Sequence, residues 1–160
     1  MLITWLLLLS SLVNGNSPPS SAAPAAIVHP SPAGRPWQLE GVALGDSEKQ
    51  VRVQWGKPGR VTPDEWQPSC ETWSYKEGKN VGLCEEQVVF VQVTAEAGTV
   101  NLDGREFGLE SRDLRRELGA PAFEAEDGWG VERVSEALKV FVDERGQPVS
   151  LDLFHAPCNL

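Results

Sequence analysis

Residues 41–58 read GVALGDSEKQVRVQWGKP, and residues 104–121 read GREFGLESRDLRRELGAP, a degraded copy 63 positions later. At this offset the copies share several glycine, arginine and proline positions, and two further identities follow. The identical pairs are Gly41 and Gly104, Gly45 and Gly108, Arg52 and Arg115, Gly56 and Gly119, Pro58 and Pro121, Asp64 and Asp127, and Trp66 and Trp129. Self-similarity at a fixed spacing indicates a repeated supersecondary unit. The sequence therefore predicts two tandem repeats.

The first copy has the pattern of a short helix. Asp46 is a suitable N-cap, because its carboxylate can accept from the free N–H groups of a first turn, and the helix is predicted to start near Ser47. Val51 and Trp55 are four residues apart and therefore lie on one helix face. A Gly-Lys-Pro sequence then predicts the end, because glycine favours the left-handed C-terminal conformation and proline prevents continuation.

The second copy predicts a helix with a weaker start. Leu109 stands at the position of the capping Asp46, so this helix is expected to begin closer to Ser111. Leu114 and Leu118 keep the apolar stripe that packs against a core.

Strands are predicted after each helix. The first helix is followed by a turn-rich connection at residues 60–69. Three strands are predicted after it, at residues 72–76, 82–85 and 87–94. The second is followed by a turn-rich segment and a hairpin, at residues 121–130, 137–142 and 149–154, with Gly146 in the hairpin turn. Runs of strands after one helix favour an α+β fold over a parallel sheet. We predict two repeats, 39–94 and 104–154, each a short helix packed on antiparallel strands.

The first 36 residues do not have the composition of a folded domain. An apolar run at residues 3–13 is too short to span a bilayer comfortably, and residues 1–15 are predicted to be a signal peptide. Residues 16–36 are rich in proline, serine and alanine, a composition that predicts a disordered linker. The folded domain is then expected at residues 37–160, exported to a secreted or cell-envelope location, with no membrane span in the mature chain.

The charge balance argues against nucleic acid as a partner. The chain has 23 acidic and 14 basic residues and a net charge of −9. Phosphate backbones and anionic lipid surfaces need clustered lysine and arginine. The one arginine cluster, Arg112, Arg115 and Arg116, is interleaved with acidic residues and is typical of a solvated helix face.

Three cysteines in an exported chain indicate an oxidising compartment. Cys70 and Cys84 flank a predicted strand and turn whose ends can meet, so we predict a disulfide between them. Cys158 is then left unpaired or joined to another chain. An alternative is a zinc site formed by Cys70, Cys84, His155 and Cys158, although no short knuckle spacing supports it.

No catalytic constellation stands out, and no cofactor is predicted. His155 is the one histidine of the predicted domain, and the sequence contains no Gly-rich phosphate loop, HExxH or GxSxG motif. A small exported hydrolase or metal-dependent enzyme that uses His155 with carboxylates remains an alternative, and so does a passive structural domain of the cell envelope.

The aromatic residues are candidates for binding. Trp66 and Trp129 are equivalent at the repeat offset, and each follows a helix within a turn-rich segment. One interpretation is that they close the ends of a small core. The other is that they stand with Trp73 and Tyr75 on an exposed sheet face, as aromatic anchors do at protein interfaces.

One further pattern resembles a known family. Leu44-Gly45-Asp46, a valine at position 51 and Gly56-Lys57-Pro58 resemble the repeat of the SmpA/OmlA-type exported proteins and of the β-lactamase inhibitory protein. The cysteine pair also matches the latter in order and approximate spacing. The resemblance implies a tandem helix-plus-sheet fold that works by binding other proteins. We therefore predict an exported, non-enzymatic, protein-binding or inhibitor-like module that presents a sheet face to a protein or cell-envelope ligand.

Overall fold

The computed structural model describes residues 34–156. The predicted signal peptide, most of the predicted linker and Cys158 lie outside this range. Helix α1 is Glu48–Trp55 and helix α2 is Ser111–Leu118. The strands are β1 Arg60–Pro63, β2 Cys70–Ser74, β3 Lys79–Cys84, β4 Gln87–Thr94, β5 Thr99–Leu102, β6 Arg105–Gly108, β7 Phe123–Ala125, β8 Gly128–Arg133, β9 Glu136–Val142 and β10 Pro148–His155. A short 3-10 helix, Ala95–Ala97, joins β4 to β5.

Eight of these strands form one antiparallel sheet in the order β1-β2-β3-β4-β10-β9-β8-β7. Strands β4 and β10 lie at its centre, and Gln92 is directly opposite Asp152 in the middle of this pair. Strands β1 and β7 are the two edges. Strands β5 and β6 form a separate two-stranded hairpin. The predicted α+β class with antiparallel strands is confirmed.

Helix α1 begins at Glu48, and its N-cap is Ser47. Ser47 Oγ accepts from the Gln50 N–H at 3.4 Å, and Gln50 Oε1 accepts from the Ser47 N–H at 2.9 Å. This reciprocal arrangement is a capping box, which satisfies two N–H groups at the helix start. Asp46 instead accepts from the Ala43 N–H at 2.9 Å and fixes the turn that precedes the helix. The prediction that Asp46 is the N-cap is therefore wrong.

Helix α2 begins at Ser111, where the sequence predicts its start, and its N-cap Glu110 makes no side-chain capping hydrogen bond. Both helices end at a glycine with positive φ, 79° at Gly56 and 84° at Gly119. The bounds of the two helices differ by the 63 positions that separate the sequence copies. Among the described residues, no helix is long and apolar enough to cross a membrane.

The core lies on one face of the large sheet. The segment before α1, the two helices and the β5–β6 hairpin all contribute buried side chains to it. These are Trp37, Leu39, Val42, Val51, Val100, Leu102, Phe107, Leu109 and Leu114. The sheet contributes alternate residues of its central strands, among them Val91, Val93, Leu151 and Leu153. Burial of this set supplies the main driving force for folding.

Two segments that the sequence predicts as connections contain strands. Residues 60–69 include β1, an edge strand whose four residues are all exposed. Residues 121–130 include β7 and the start of β8. In β8 a Cβ at Gly130 would collide with the Phe123 ring. Gly130 therefore permits a close cross-strand contact and does not mark a turn. The interpretation of both segments as turn-rich connections alone is therefore wrong.

Candidate functional site

One face of the eight-stranded sheet is not covered by any other described element. Successive residues of a strand point to opposite faces, so the neighbours of the core residues Val91 and Leu151 point away from the helices. We call this surface the open face. On the four central strands it consists of Asn80, Gly82, Phe90, Gln92, Lys139, Phe141, Ser150, Asp152 and Phe154.

Phe90 and Phe154 form the apolar centre of the open face. They are directly opposite each other on β4 and β10, and both are half-buried. The Phe90 ring also occupies the space that a Cβ of Gly82 would fill on β3. Directly opposite residues on one face have Cβ atoms about 5 Å apart. The two side chains therefore start from adjacent positions at the centre of the open face.

Further phenylalanines extend this surface toward the β7 edge. Phe141 lies on β9, with the Lys139 ammonium 4.1 Å from its ring centroid. Phe123 lies on β7 opposite Gly130. The chain has five phenylalanines, and the remaining one, Phe107, is buried in the core on the other side of the sheet. The open face is thus where this chain concentrates its phenylalanine.

A row of hydrogen-bonded polar side chains crosses the centre of the open face. Asn80 Nδ2 donates to Gln92 Oε1 at 3.0 Å, and Gln92 Nε2 donates to Asp152 Oδ2 at 2.9 Å. Ser150 Oγ donates to Asp152 Oδ1 at 2.6 Å. Because these groups satisfy one another, a partner that covers the face leaves few polar atoms without a hydrogen bond.

Burial raises the pKa of the Asp152 carboxyl above its ordinary value, while hydrogen bonds from Ser150 and Gln92 and the charge of Lys139 partly offset the shift. A raised pKa in the folded state means that the ionised carboxylate is less favourable there than in the unfolded chain. The stability that this group contributes is therefore fully present below the unfolded pKa of aspartate. It is lost as the pH rises through the folded pKa.

We expect Asp152→Asn to raise the thermal unfolding midpoint at about pH 7 and to leave it nearly unchanged at about pH 3. Asparagine can accept from Gln92 and donate to Ser150, but it has no charge to desolvate. Thermal unfolding followed by circular dichroism at both pH values measures the effect. A gain in midpoint that is larger at the lower pH would contradict this account.

Asp127→Asn is the matched control for this prediction. The pKa of Asp127 is lowered, chiefly by its hydrogen bond from Lys139, whose Nζ lies 2.7 Å from Asp127 Oδ1. A lowered pKa contributes stability above the unfolded pKa of aspartate, and this contribution is lost as the pH falls. The control variant is therefore expected to have the opposite sign, with a lower midpoint at about pH 7 and no change at low pH.

The four aromatic residues proposed from the sequence as binding anchors do not form one surface. Trp73 is 1% exposed and Trp129 is 6% exposed, because β2 and β8 turn both rings toward the helices. Their prediction as exposed anchors is therefore wrong. Tyr75 is half-buried and packs edge-on against Trp55, with 5.1 Å between ring centroids. Trp66 is exposed, at 88%.

The surroundings of Trp129 are similar to those of Trp73 and unlike those of Trp66. The Arg52 guanidinium lies 4.3 Å from the Trp73 ring centroid, and the Arg115 guanidinium lies 4.4 Å from that of Trp129. Each tryptophan is on the strand next to an edge of the sheet, and each is covered by an arginine of the adjacent helix. The ungapped match of Trp66 with Trp129 is therefore wrong in three dimensions.

Cys70 and Cys84 form the predicted disulfide, which joins opposite residues of β2 and β3. The bond removes both thiolates from the alternative zinc site with His155 and Cys158, so that site is wrong for the oxidised chain. Within residues 34–156, no group of three or more His, Cys, Asp or Glu is placed to hold a metal ion.

His155 lies at the exposed end of β10, opposite Glu136 of β9. The Glu136 carboxylate is buried and accepts from the Trp37 N–H at 2.9 Å. This hydrogen bond attaches the segment around Trp37 to strand β9 of the sheet.

Comparison with known proteins identifies similar folds. No protein-family model matches the chain, and no curated protein matches it. An extracellular protein containing an SCP domain from Bacillus anthracis is similar with a TM-score of 0.51 and 15% identity, over 69% of this chain and 43% of that one. A cysteine-rich secretory protein from Staphylococcus aureus has a TM-score of 0.43 and 15% identity, over 69% and 44%. A DUF4309 family protein from Bacillus subtilis has a TM-score of 0.43 and 11% identity, over 69% and 79%.

The chain spans less than half the length of the first two of these proteins. At 15% identity, the similarity to the Bacillus anthracis protein concerns the fold alone. None of the three is described as an SmpA/OmlA-type protein or as a β-lactamase inhibitory protein. The resemblance to that family stays a prediction.

Proposed function

We propose that this protein is an exported, non-enzymatic module that binds a protein through the open face of its sheet. The observation that carries the proposal is the side-by-side placement of Phe90 and Phe154 on a sheet face that no other described element covers. Protein interfaces concentrate their binding energy in a few aromatic residues near the centre, surrounded by polar groups.

The strands that carry the open face are fixed by their neighbours, which favours a binding role for this face over a catalytic one. Strands β4 and β10 are central, and each is hydrogen-bonded to a neighbour on both sides. The polar row holds Gln92 and Asp152 in fixed orientations between the aromatic rings and the Thr94–Ser150 pair. Such a surface loses little conformational entropy on association, which improves affinity for a given contact area.

The proposal also includes a tandem duplication of a helix-plus-sheet unit. One support is that the start of α2 lies 63 residues after the start of α1, and the end of α2 lies 63 residues after the end of α1. The other is the strand order, in which β4, β3, β2 and β1 on one side correspond to β10, β9, β8 and β7 on the other. Gln92 and Asp152 meet where the two halves join. This arrangement agrees with the resemblance to the SmpA/OmlA-type and β-lactamase-inhibitory repeats, which would place the chain among exported binding proteins.

A secreted or cell-envelope location is supported by the disulfide, because such bonds persist in oxidising compartments. The similar protein from Bacillus anthracis is extracellular. The net charge of −9 favours a protein ligand over nucleic acid or an anionic membrane surface.

Phe154→Lys tests the role of the open face. A partner is first isolated from culture fluid with the wild-type domain, and its dissociation constants are then measured for wild type and variant by calorimetry. We expect binding to weaken by about 30-fold or more, as for an interface hot spot, because a charge is placed at the apolar centre.

Val149→Lys is the control, since Val149 is also on β10 but lies at the far end of the strand from Phe154, in the register shift between Pro148 and Ser150, and is 42% exposed. It should bind like wild type. Thermal midpoints verify that both variants are folded. Equal affinity of wild type and Phe154→Lys, or the absence of any partner, would contradict the proposal.

A further inference from the structure

The two edges of the large sheet are connected differently. At one edge, β7 and β8 are joined by residues 126–127, a tight two-residue hairpin. At the other edge, β1 and β2 are joined by residues 64–69, which we call the Trp66 loop. The pairing of β7 with β8 shows that an edge hairpin of this sheet needs only the shorter connection. The additional residues of the Trp66 loop are therefore not explained by closure of the sheet.

Four hydrogen bonds and the disulfide constrain the Trp66 loop. Asp64 Oδ1 accepts from the Trp66 N–H and from the Gln67 N–H, both at 2.8 Å. The Asp64 N–H donates to the Cys70 carbonyl at 2.9 Å, and the Cys70 N–H donates to the Gln67 carbonyl at 2.8 Å. The disulfide at Cys70 then ties the base of the loop to β3. Local side-chain and covalent constraints of this kind reduce the entropy that the loop would lose on binding.

This rigid loop exposes the largest apolar side chain available to a protein. Trp66 is 88% exposed, in contrast to the buried Trp73 and Trp129. Its ring contributes little to the core, yet its backbone N–H and that of the following Gln67 both donate to the Asp64 carboxylate. A tryptophan displayed in this way has the properties of an interface anchor that inserts into a pocket of a partner.

The surroundings of the Trp66 loop are acidic on balance, although Lys49 and Arg52 of α1 line a shallow cleft together with Glu85 and Glu86, and Arg52 is paired with Glu48. The Glu85 N–H donates to the Ser69 carbonyl at 2.9 Å, which places the β3–β4 turn beside the loop. Glu85 and Glu86 have φ values of 51° and 65°, a left-handed conformation that this turn position usually reserves for asparagine and glycine. The sequence thus has two exposed glutamates where uncharged residues would fit the turn better.

The loop itself adds Asp64 and Glu65. None of these four carboxylates forms an ion pair with a residue in the part of the chain that the structure describes. Their charge is therefore available to a ligand with the opposite sign.

We propose that the Trp66 loop and the Glu85–Glu86 turn form a second binding surface, whose ligand is a protein with an apolar pocket bordered by lysine and arginine. Trp66 fills the pocket, and the four carboxylates approach its basic rim. This surface does not depend on the open face, because its contacts come from loops at the ends of the strands.

Site-specific photo-crosslinking tests this inference. Benzoylphenylalanine replaces Trp66 in the full domain, and in a control it replaces Val53, which is 80% exposed on α1. The probes are the basic and acidic fractions of culture fluid of the organism that makes the protein, separated by ion exchange. We expect a discrete crosslinked species from the basic fraction at position 66 and none at position 53. Raising the salt to about 0.5 M should suppress it, because exposed charges are then screened.

Competition by unlabelled protein decides the outcome. Wild type should abolish the crosslink, and Trp66→Ala should compete about 30-fold less well. The Trp66→Ala variant should keep the wild-type thermal midpoint, since surface substitutions of this kind change stability little. Equal competition by Trp66→Ala, a species from the acidic fraction, or no discrete species would overturn the inference. Competition by Phe154→Lys reports separately on the open face.

Discussion

Replacing Trp129 by alanine is expected to destabilise the domain by about 3 to 5 kcal/mol, the usual cost of truncating a buried tryptophan. Trp129 is 6% exposed and packs in the core with the Arg115 guanidinium 4.4 Å from its ring centroid. The variant loses the apolar contacts of the indole and leaves a cavity beneath α2. Urea unfolding followed by far-ultraviolet circular dichroism measures the free energy of unfolding.

Trp66→Ala is the matched control, because the ungapped sequence alignment treats Trp66 and Trp129 as equivalent whereas the structure does not. Trp66 is 88% exposed, so its removal should change the free energy of unfolding by less than about 0.5 kcal/mol. Similar losses for the two variants would show that the register assigned to β8 is wrong.

Removing the disulfide should have the second large effect on stability. The Cys70→Ala/Cys84→Ala double variant is expected to lose about 3 kcal/mol, as a bond that closes a loop of this length contributes by restricting the unfolded chain. The two cysteines are 14 positions apart. The free energy of unfolding of oxidised wild type and double variant gives the difference.

Reduction provides the control for the double variant. A reducing agent should destabilise wild type by a similar amount and should leave the double variant unchanged, since this variant has no bond to reduce between β2 and β3. If the reducing agent lowers the midpoint of both proteins equally, the stabilisation does not come from the bond between Cys70 and Cys84.

The sequence predicts the parts of the fold that local chemistry determines. Helix α2 begins at Ser111, and both helices end at the predicted glycines, because the residues that start and stop a helix act over a single turn. The bounds of β4, Gln87–Thr94, are those that the sequence predicts for this strand. The disulfide follows from the spacing of two cysteines around a hairpin.

The ungapped alignment of the two sequence copies fails at the connections between their strands. The connection after β1 is longer than the one after β7, so an ungapped alignment places Trp129 opposite Trp66 instead of Trp73. The sequence also does not predict the edge strand β1, because all four of its residues are exposed and show no alternation of buried and exposed positions. The β5–β6 hairpin begins in the segment between the two sequence copies, and its short strands show little pattern of their own.

The tryptophans of the sequence do not indicate the open face. Trp73 and Trp129 are buried in the core, whereas the phenylalanines of the other face alternate in phase with the polar residues Gln92 and Asp152. Counting two positions from each of these polar residues gives Phe90 and Phe154. A strand that alternates buried valine or leucine with outward aromatic residues is the signal that could have identified the surface.

Fluorine NMR of the domain labelled with fluorophenylalanine tests the binding role of the open face most directly. The chain has five phenylalanines, so five resonances are expected, and single Phe-to-Leu variants assign them. On addition of the isolated partner, we predict that the resonances of Phe90 and Phe154 shift and that the buried Phe107, on the other side of the sheet, serves as the unshifted reference. Saturable binding that leaves the Phe90 and Phe154 resonances unchanged would contradict the account.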